Sequence, residues 1–488
     1  MIKKLLSVFI VLVMCLCLSA CNESYKDAYI YCELDTIPST LDPQLVSTKD
    51  EITAVRCLFD GLMRYDNEGN CIPSAAESYK KDGLTYTFTL KEDAAWKNGQ
   101  KLTSDDFVFA FRRGIDPKNK APFATLLYSI KNAKSIANGE LSSDNLGVYC
   151  IDEKTLKIEL EYEDSEFLNT LTTPVTMPCN RAFFETCKGK YGLNIDSLLC
   201  NGSYYIRKWY NEDKFLIRLA KNLDFTGPFE ANSMRVYFTC SNADNSEAVS
   251  KYNSDLAYIS EENYKAANDL NLKIINEENA CFMLYVSTGL PEELRKALLK
   301  SVDIQNLSFA LNGTDRIANH IYPESLNLRE IYDASDIISY NLEEAQGLYN
   351  EALKNNKLPN ITLKFYGDKT TEDVSKAIAA HWQKNLGKFI NIEKINSLSA
   401  AENIFSSSQN TILILPIYTS CGSWSTYLSQ FGITNMTPNE AQSNILSNYT
   451  LLPIYFSSSY IIANDNIKNL DSTVSYGIPD IALIIKDE

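Results

Sequence analysis

The segment from Thr85 to Arg113 constrains the fold more tightly than any other, because three local signals follow one another in it. Thr85-Tyr86-Thr87-Phe88-Thr89-Leu90 alternates with period two and is rich in β-branched and aromatic side chains, which predicts a strand. Asn98-Gly99, just after Trp96, predicts a tight turn, since both residues tolerate positive φ. Thr103-Ser104-Asp105-Asp106 then opens a helix in capping-box fashion, with Thr103 placed to accept from the backbone N–H of Asp106. Phe107, Val108, Phe109, Ala110 and Phe111 follow, and Arg112-Arg113 complements the dipole at the helix C-terminus. A second helix is expected over residues 372–386, with Val374, Ala377, Ile378 and Trp382 on one face. Ile390-Asn391-Ile392-Glu393 reads as a strand, and residues 411–415 form a short apolar run suited to a buried one. Strands alternating with helices from Tyr29 onward, without repeats or low-complexity linkers, predict α/β domains with mainly buried sheets.

The chain opens with Lys3 and Lys4, an apolar run from Leu5 to Leu18, and then Ser19-Ala20-Cys21. A basic start, a short apolar stretch and small residues before a cleavage point are the marks of a targeting segment. Ser19-Ala20 directly before a cysteine resembles the bacterial lipobox, in which the cysteine is lipidated and becomes the new N-terminus. Cys21 is the expected lipid attachment point, 1–20 the signal and 21–28 a polar tether; an ordinary secretory signal is the other reading. Multiple acyl chains hold a protein stably at a membrane where a single one does not. The expected location is therefore the extracytoplasmic face of the cell membrane, in the periplasm or at the cell surface.

The 468 residues left after the first 20 suffice for two or three domains with substantial cores. Hydrophobic content of 45% and charged content of 22% are those of a globular chain. No later apolar run approaches the ~20 residues a bilayer-crossing helix needs. A formal charge of −16 argues against nucleic acid as a partner. Thirteen cysteines are scattered without a C-x-x-C pair, so no metal site is expected; they can pair in an exported protein or stay as small buried residues. The two histidines, His320 and His381, both precede Cys421-Gly422-Ser423-Trp424, which removes a cysteine-protease reading of that run. With no H-E-x-x-H, G-x-S-x-G or phosphate-binding loop either, no enzyme and no cofactor are expected.

Several segments together resemble solute-binding family 5, the oligopeptide- and dipeptide-binding proteins of bacterial ABC importers. Ser39-Thr40-Leu41-Asp42-Pro43 is similar to the family's S-L-D-P, and Leu58-Phe59-Asp60-Gly61-Leu62 to its L-F-E-G-L. Tyr86 to Leu90, Trp96, Asn98-Gly99, Asp106-Phe107-Val108, Arg112-Arg113, Asp116-Pro117 and Ala121-Pro122-Phe123 run nearly in step with its central signature. Asn201-Gly202-Ser203-Tyr204-Tyr205, Trp209 and Pro453-Ile454-Tyr455-Phe456 continue the likeness to the end of the chain. The resemblance implies a two-lobed periplasmic-binding-protein type II-like α/β fold with an extra α/β domain on lobe I. Lobe I would comprise residues 29–60, 172–280 and 452–488, the extra domain 61–171, and a shortened lobe II 281–451. Crossings near Cys281 and Pro453 would form the hinge.

A receptor for varied peptides must hold what they share, the backbone and the charged ends. In the family, backbone groups after S-L-D-P pair with the ligand; here these fall on Ser47-Thr48-Lys49. An aromatic lining the cleft falls on Phe123, where plain core packing is the other reading. The ligand ammonium is met in relatives by an Asp, and burying that cation without a counter-charge costs several kcal/mol. In this chain the position falls on Ser420 or, with the cysteines aligned, on Ser423, so the carboxylate is missing either way. Tyr418, Cys421, Trp424 and Ser457 complete the ligand-binding set that the resemblance implies. It also implies a Cys281–Cys421 disulfide. Only 24 residues, 429–452, separate Leu428 from Pro453, several tens fewer than in relatives, which is why lobe II counts as shortened.

The expected function is a lipid-anchored, monomeric substrate-binding protein that captures short peptides for an ABC permease. The missing carboxylate opens two alternatives: a different solute, such as an oligosaccharide or metal complex, or a signalling or assembly protein with a degenerate cleft. For peptides, it points to ligands whose amine is blocked or met in another way.

Overall fold

The computed structural model describes residues 29–487 except 212–214, 241–253, 260–263, 265–266, 271, 312–313, 327, 329, 356–357, 397–400, 402–409, 420–423, 434–435 and 476–477. The signal, Cys21 and the tether therefore lie outside the described residues.

Among the described residues, eleven strands form one continuous sheet. In chain order they are β1 Tyr29–Glu33, β2 Tyr204–Asn211, β3 Phe215–Lys221, β4 Arg235–Cys240, β5 Leu256–Ile259, β6 Lys273–Val286, β7 Arg316–Ile317, β8 Thr362–Phe365, β9 Asn391–Lys394, β10 Ile412–Tyr418 and β11 Leu451–Ala463. Their spatial order is β9-β8-β10-β6-β11-β5-β1-β4-β3-β2, with β7 pairing separately on β11. A second, antiparallel sheet holds Ala76–Asp82, Thr85–Leu90, Thr155–Glu159 and Val148–Asp152 in that order.

The principal helices are α1 Lys49–Leu58, α2 Ser104–Ile115, α3 Lys369–Leu386 and α4 Trp424–Ser429. Gly99 sits at φ +83° in the expected turn. At the start of α2, the Asp106 carboxylate accepts from Thr103 N–H at 2.9 Å, the Thr103 hydroxyl at 3.1 Å and Trp96 Nε1–H at 3.1 Å. Helix α3 begins three residues before its expected start because Asp368 caps it by accepting from Thr371 N–H; Gly387 at φ +66° ends it.

The buried apolar side chains gather into two large cores. One is built from α1, α2, the antiparallel sheet and strands β1 to β5, joined by residues 461–484. The other is built from residues 280–456. Strands β6 and β11 are long because they belong to both. Ile275 and Ile461 pack on the first core, whereas residues 280–286 and 451–456 pack in the second. Between these portions both strands turn polar: Asn276-Glu277-Glu278-Asn279 on β6 and Ser457-Ser458-Ser459 on β11. The pairing shifts register at this waist, between Glu278 and Ala280. A bulge there locally weakens the ladder and bends the strand.

Candidate functional site

Register places the waist at the meeting point of two sets of strand ends. In the first core β1 runs parallel to β4 and β5; in the second β8 runs parallel to β9 and β10. Ile259, the last residue of β5, pairs with Tyr460, which also pairs with Asn276. Tyr418, the last residue of β10, pairs with Ala280 from the opposite direction. The carboxyl ends of the two parallel halves thus face each other across the polar residues 277–279. Ligands of open α/β sheets bind outside such ends.

Tyr418 is 36% exposed, high for the end of a strand otherwise buried, and its carbonyl accepts from Gln430 Nε2 at 2.8 Å. Ser457 is half-buried in the waist. Helix α4, which starts at half-buried Trp424, packs against the Ala124–Leu127 turn, and half-buried Phe123 immediately precedes that turn. Phe123 also packs on the first core, so its two expected roles coexist at one position. Phe123 packs on the first core and Trp424 on the second, while Tyr418 and Ser457 both pair with Ala280 of β6.

The waist is held by polar contacts and carries acidic charge. Glu278 takes Arg316 bidentately, at 2.6 Å to Nε and 2.9 Å to Nη2, and accepts the Glu324 N–H at 2.8 Å. Burial raises the Glu278 carboxyl above the usual range, against the opposing pull of the Glu324 N–H and Arg316. Asn279 bonds Ser459 across the strands at 2.8 Å. The Arg316 guanidinium lies 4.4 Å from the Phe456 ring centroid, and His320 lies 5.0 Å from the same ring. Burial and then Arg316 push His320 down to about 4, so it is neutral at pH 7. On the first-core side, Asp50 accepts from Thr36 N–H and hydroxyl at 2.9 and 2.7 Å, and its carboxyl is raised by burial. Glu33 accepts from the Thr239 hydroxyl. Lys49 Nζ stands 4.5 Å over the Tyr258 ring and 4.0 Å from Asp35. Among the described residues no three His, Cys, Asp or Glu side chains are placed to hold a metal ion.

The motif residues mostly point into the protein. Asp42 is buried against Arg113 at 2.5 Å, and Arg113 also reaches Gln44 Oε1 at 2.5 Å, while Gln44 Nε2 donates to the Met177 carbonyl at 2.9 Å. The Asn201 side chain brackets Asp60, accepting its N–H at 3.1 Å and donating to its carbonyl at 2.9 Å. A Cβ on Gly202 would lie 2.6 Å from the Leu58 carbonyl carbon, so only glycine fits there.

In the stretch Ser47-Thr48-Lys49 two backbone donors are already used within the protein. Thr48 is the N-cap of α1, and Glu51 accepts the N–H groups of Ser47 and Thr48 at 2.8 and 3.2 Å. Those two amides are therefore occupied by the protein itself. The cause is a capping box, Thr48-Lys49-Asp50-Glu51, legible in the sequence as T-x-x-E. Cys281 is a buried free thiol whose ladder neighbours are Ile417 and Phe456. Its expected partner Cys421, with Ser420 and Ser423, lies outside the described residues.

Residues 70–445 match the bacterial extracellular solute-binding proteins, family 5 Middle. The chain belongs to that family. This family-5 protein is 24% identical over 383 residues to the dipeptide-binding protein DppE of Bacillus subtilis, covering 75% of this chain and 70% of the relative. It is 26% identical over 428 residues to the oligopeptide-binding protein OppA of the same organism, covering 81% and 78%. The structure of Haemophilus influenzae OppA in complex with RPPGFSPFR superposes with a TM-score of 0.78 at 18% identity, covering 95% of this chain and 99% of that one. The family-5 protein therefore has the two-lobed, periplasmic-binding-protein type of α/β fold. No helix among its described residues is long and apolar enough to cross a membrane.

Proposed function

We propose that this protein captures short peptides at the waist between its two cores and hands them to an ABC permease in the membrane. It acts outside the cytoplasmic membrane as a monomer, anchored by lipid on Cys21 after removal of residues 1–20. The observation that carries this reading is the convergence of two sets of strand ends on a polar, bulged crossing. Strand ends supply backbone groups to a peptide, and a bulged two-strand crossing lets the halves move. The dipeptide- and oligopeptide-binding relatives support peptides as the solute. Lobe I is proposed as 29–60, 172–280 and 452–488, the extra domain as 61–171, and lobe II as 281–451.

Phe123, Tyr418, Trp424 and Ser457 line the proposed site. Ser47, Thr48 and Lys49 border it on the first-core side; Ser420, Cys421 and Ser423, which the family likeness adds to the ligand set, lie outside the described residues. Serine at both 420 and 423 supports peptides whose amine is blocked or met elsewhere, because a hydroxyl brings no charge. Calorimetric titration with matched free-amine and N-acetylated tri- and tetrapeptides tests the reading. Saturable binding in which N-acetylation costs less than about threefold is expected, below the loss a buried ion pair would show. Silence with every peptide would overturn peptide capture, and tight binding of the free-amine forms alone would overturn only the amine argument. Loss of radiolabelled palmitate incorporation in Cys21→Ala tests the anchor.

A further inference from the structure

A second concavity, of about 60 Å³, lies beyond the waist at the edge of the first core, where α1 and the loop after it meet the segment around Asp480. Its charged lining is Arg56, Asp60, Arg64, Asp66 and Asp480.

The three carboxylates are already engaged. Asp60 accepts the Ser74 hydroxyl at 2.7 and 2.6 Å and stands 3.6 Å from Arg64 Nη1. Asp480 takes Arg64 Nη2 at 2.7 Å and the Ala482 N–H at 3.1 Å. Asp66 folds into its own turn, accepting the N–H groups of Glu68 and Asn70 at 2.8 and 2.9 Å. The donors are not satisfied. Arg64 is only 9% exposed, yet its Nε–H has no acceptor among the described residues. The buried Nη2 of Arg56 likewise has none, and its Nη1 reaches only the Ile478 carbonyl at 3.3 Å. Half-buried Arg56 has no carboxylate at ion-pair distance among the described residues, whereas Arg64 has two.

Two buried guanidinium donors without acceptors on one cleft ask for a ligand that accepts. We propose that this cleft binds a small oxyanion, a carboxylate or phosphate group, through the Nη2–H of Arg56 and the Nε–H of Arg64. The volume is several times what one water requires and suits a group of that size. In a chain with a net charge of −16, such binding is a property of this cleft and not of the overall field. The site is separate from the waist and does not depend on peptide capture.

Calorimetric titration of the detergent-solubilised full-length protein at constant ionic strength, with inorganic phosphate and with acetate in separate arms, tests this. One saturable site for either anion is expected, and the stronger arm tells phosphate from carboxylate. Arg56→Met should weaken it at least about tenfold, the loss of one charge-assisted hydrogen bond. If Arg56→Met does not fold, Arg56→Lys, which keeps the charge but lacks the Nη2 donor, must still bind measurably more weakly. Absence of saturable binding in both arms, or wild-type affinity in the folded variant, would overturn the proposal.

Discussion

Replacing Arg113 by Met should destabilise the first core strongly while leaving ligand affinity nearly unchanged. Arg113 and Asp42 are 8% and 1% exposed, and their contact is 2.5 Å. Removing the guanidinium leaves the Asp42 carboxylate buried with only neutral donors, a change that costs about 3–5 kcal/mol. The substitution also removes the guanidinium 4.2 Å from the Phe184 ring centroid and its bond to Gln44 Oε1. At a urea dependence of about 3 kcal/mol per M, the midpoint for the first core falls by about 1–1.7 M. Urea unfolding followed by fluorescence reports this core through Trp96, which is buried within it. Asp42→Asn combined with Arg113→Met removes the stranded charge, so the pair should lose about 2 kcal/mol less than the two single losses summed. A midpoint for Arg113→Met within about 0.3 M of wild type, or strict additivity in the pair, would refute the argument.

Two further predictions concern the second core. His320 is held near 4 against an ordinary value of 6.5, so the unfolded state binds the extra proton between these values. Its contribution is fully present above pH 6.5 and is lost as pH falls toward 4; His320→Gln should remove about 1–2 kcal/mol of that acid sensitivity, allowing for its partial exposure, in urea midpoints at pH 7 and 4.5. Cys281 should take up alkylating reagent after denaturation without reductant, seen by peptide mass spectrometry; an alkylation-resistant Cys281 linked to another cysteine would contradict the free thiol.

Local structure was the legible part of this fold. The strand Thr85–Leu90, the turn at Gly99 and the capped start of α2 follow from neighbouring residues alone, and all three stand where periodicity and capping place them. The capping box at Thr48 was equally local, and the T-x-x-E pattern carried the signal. Local pattern did not show the waist, because Glu277 and Ser459 pair across 182 residues of sequence and each polar run alone reads as a surface turn; only the family likeness suggested crossings, near Cys281 and Pro453. The signal available was one strand-length segment that changes abruptly from Asn276-Glu277-Glu278-Asn279 to seven buried residues. Nor does spacing reveal that Arg113 belongs to Asp42, 71 positions away. Motif likeness marks such residues without saying whether they touch a ligand or each other, and here they touch each other.

In the proposed function both cores contribute to one ligand site across the waist. Hydrogen–deuterium exchange on the protein with and without a saturating peptide tests it most directly. New protection is expected at once in residues 276–280, 455–460 and 424–429 and in the Ala124–Leu127 turn, with little change in the antiparallel sheet. Protection confined to one core, or none at the waist, would contradict it.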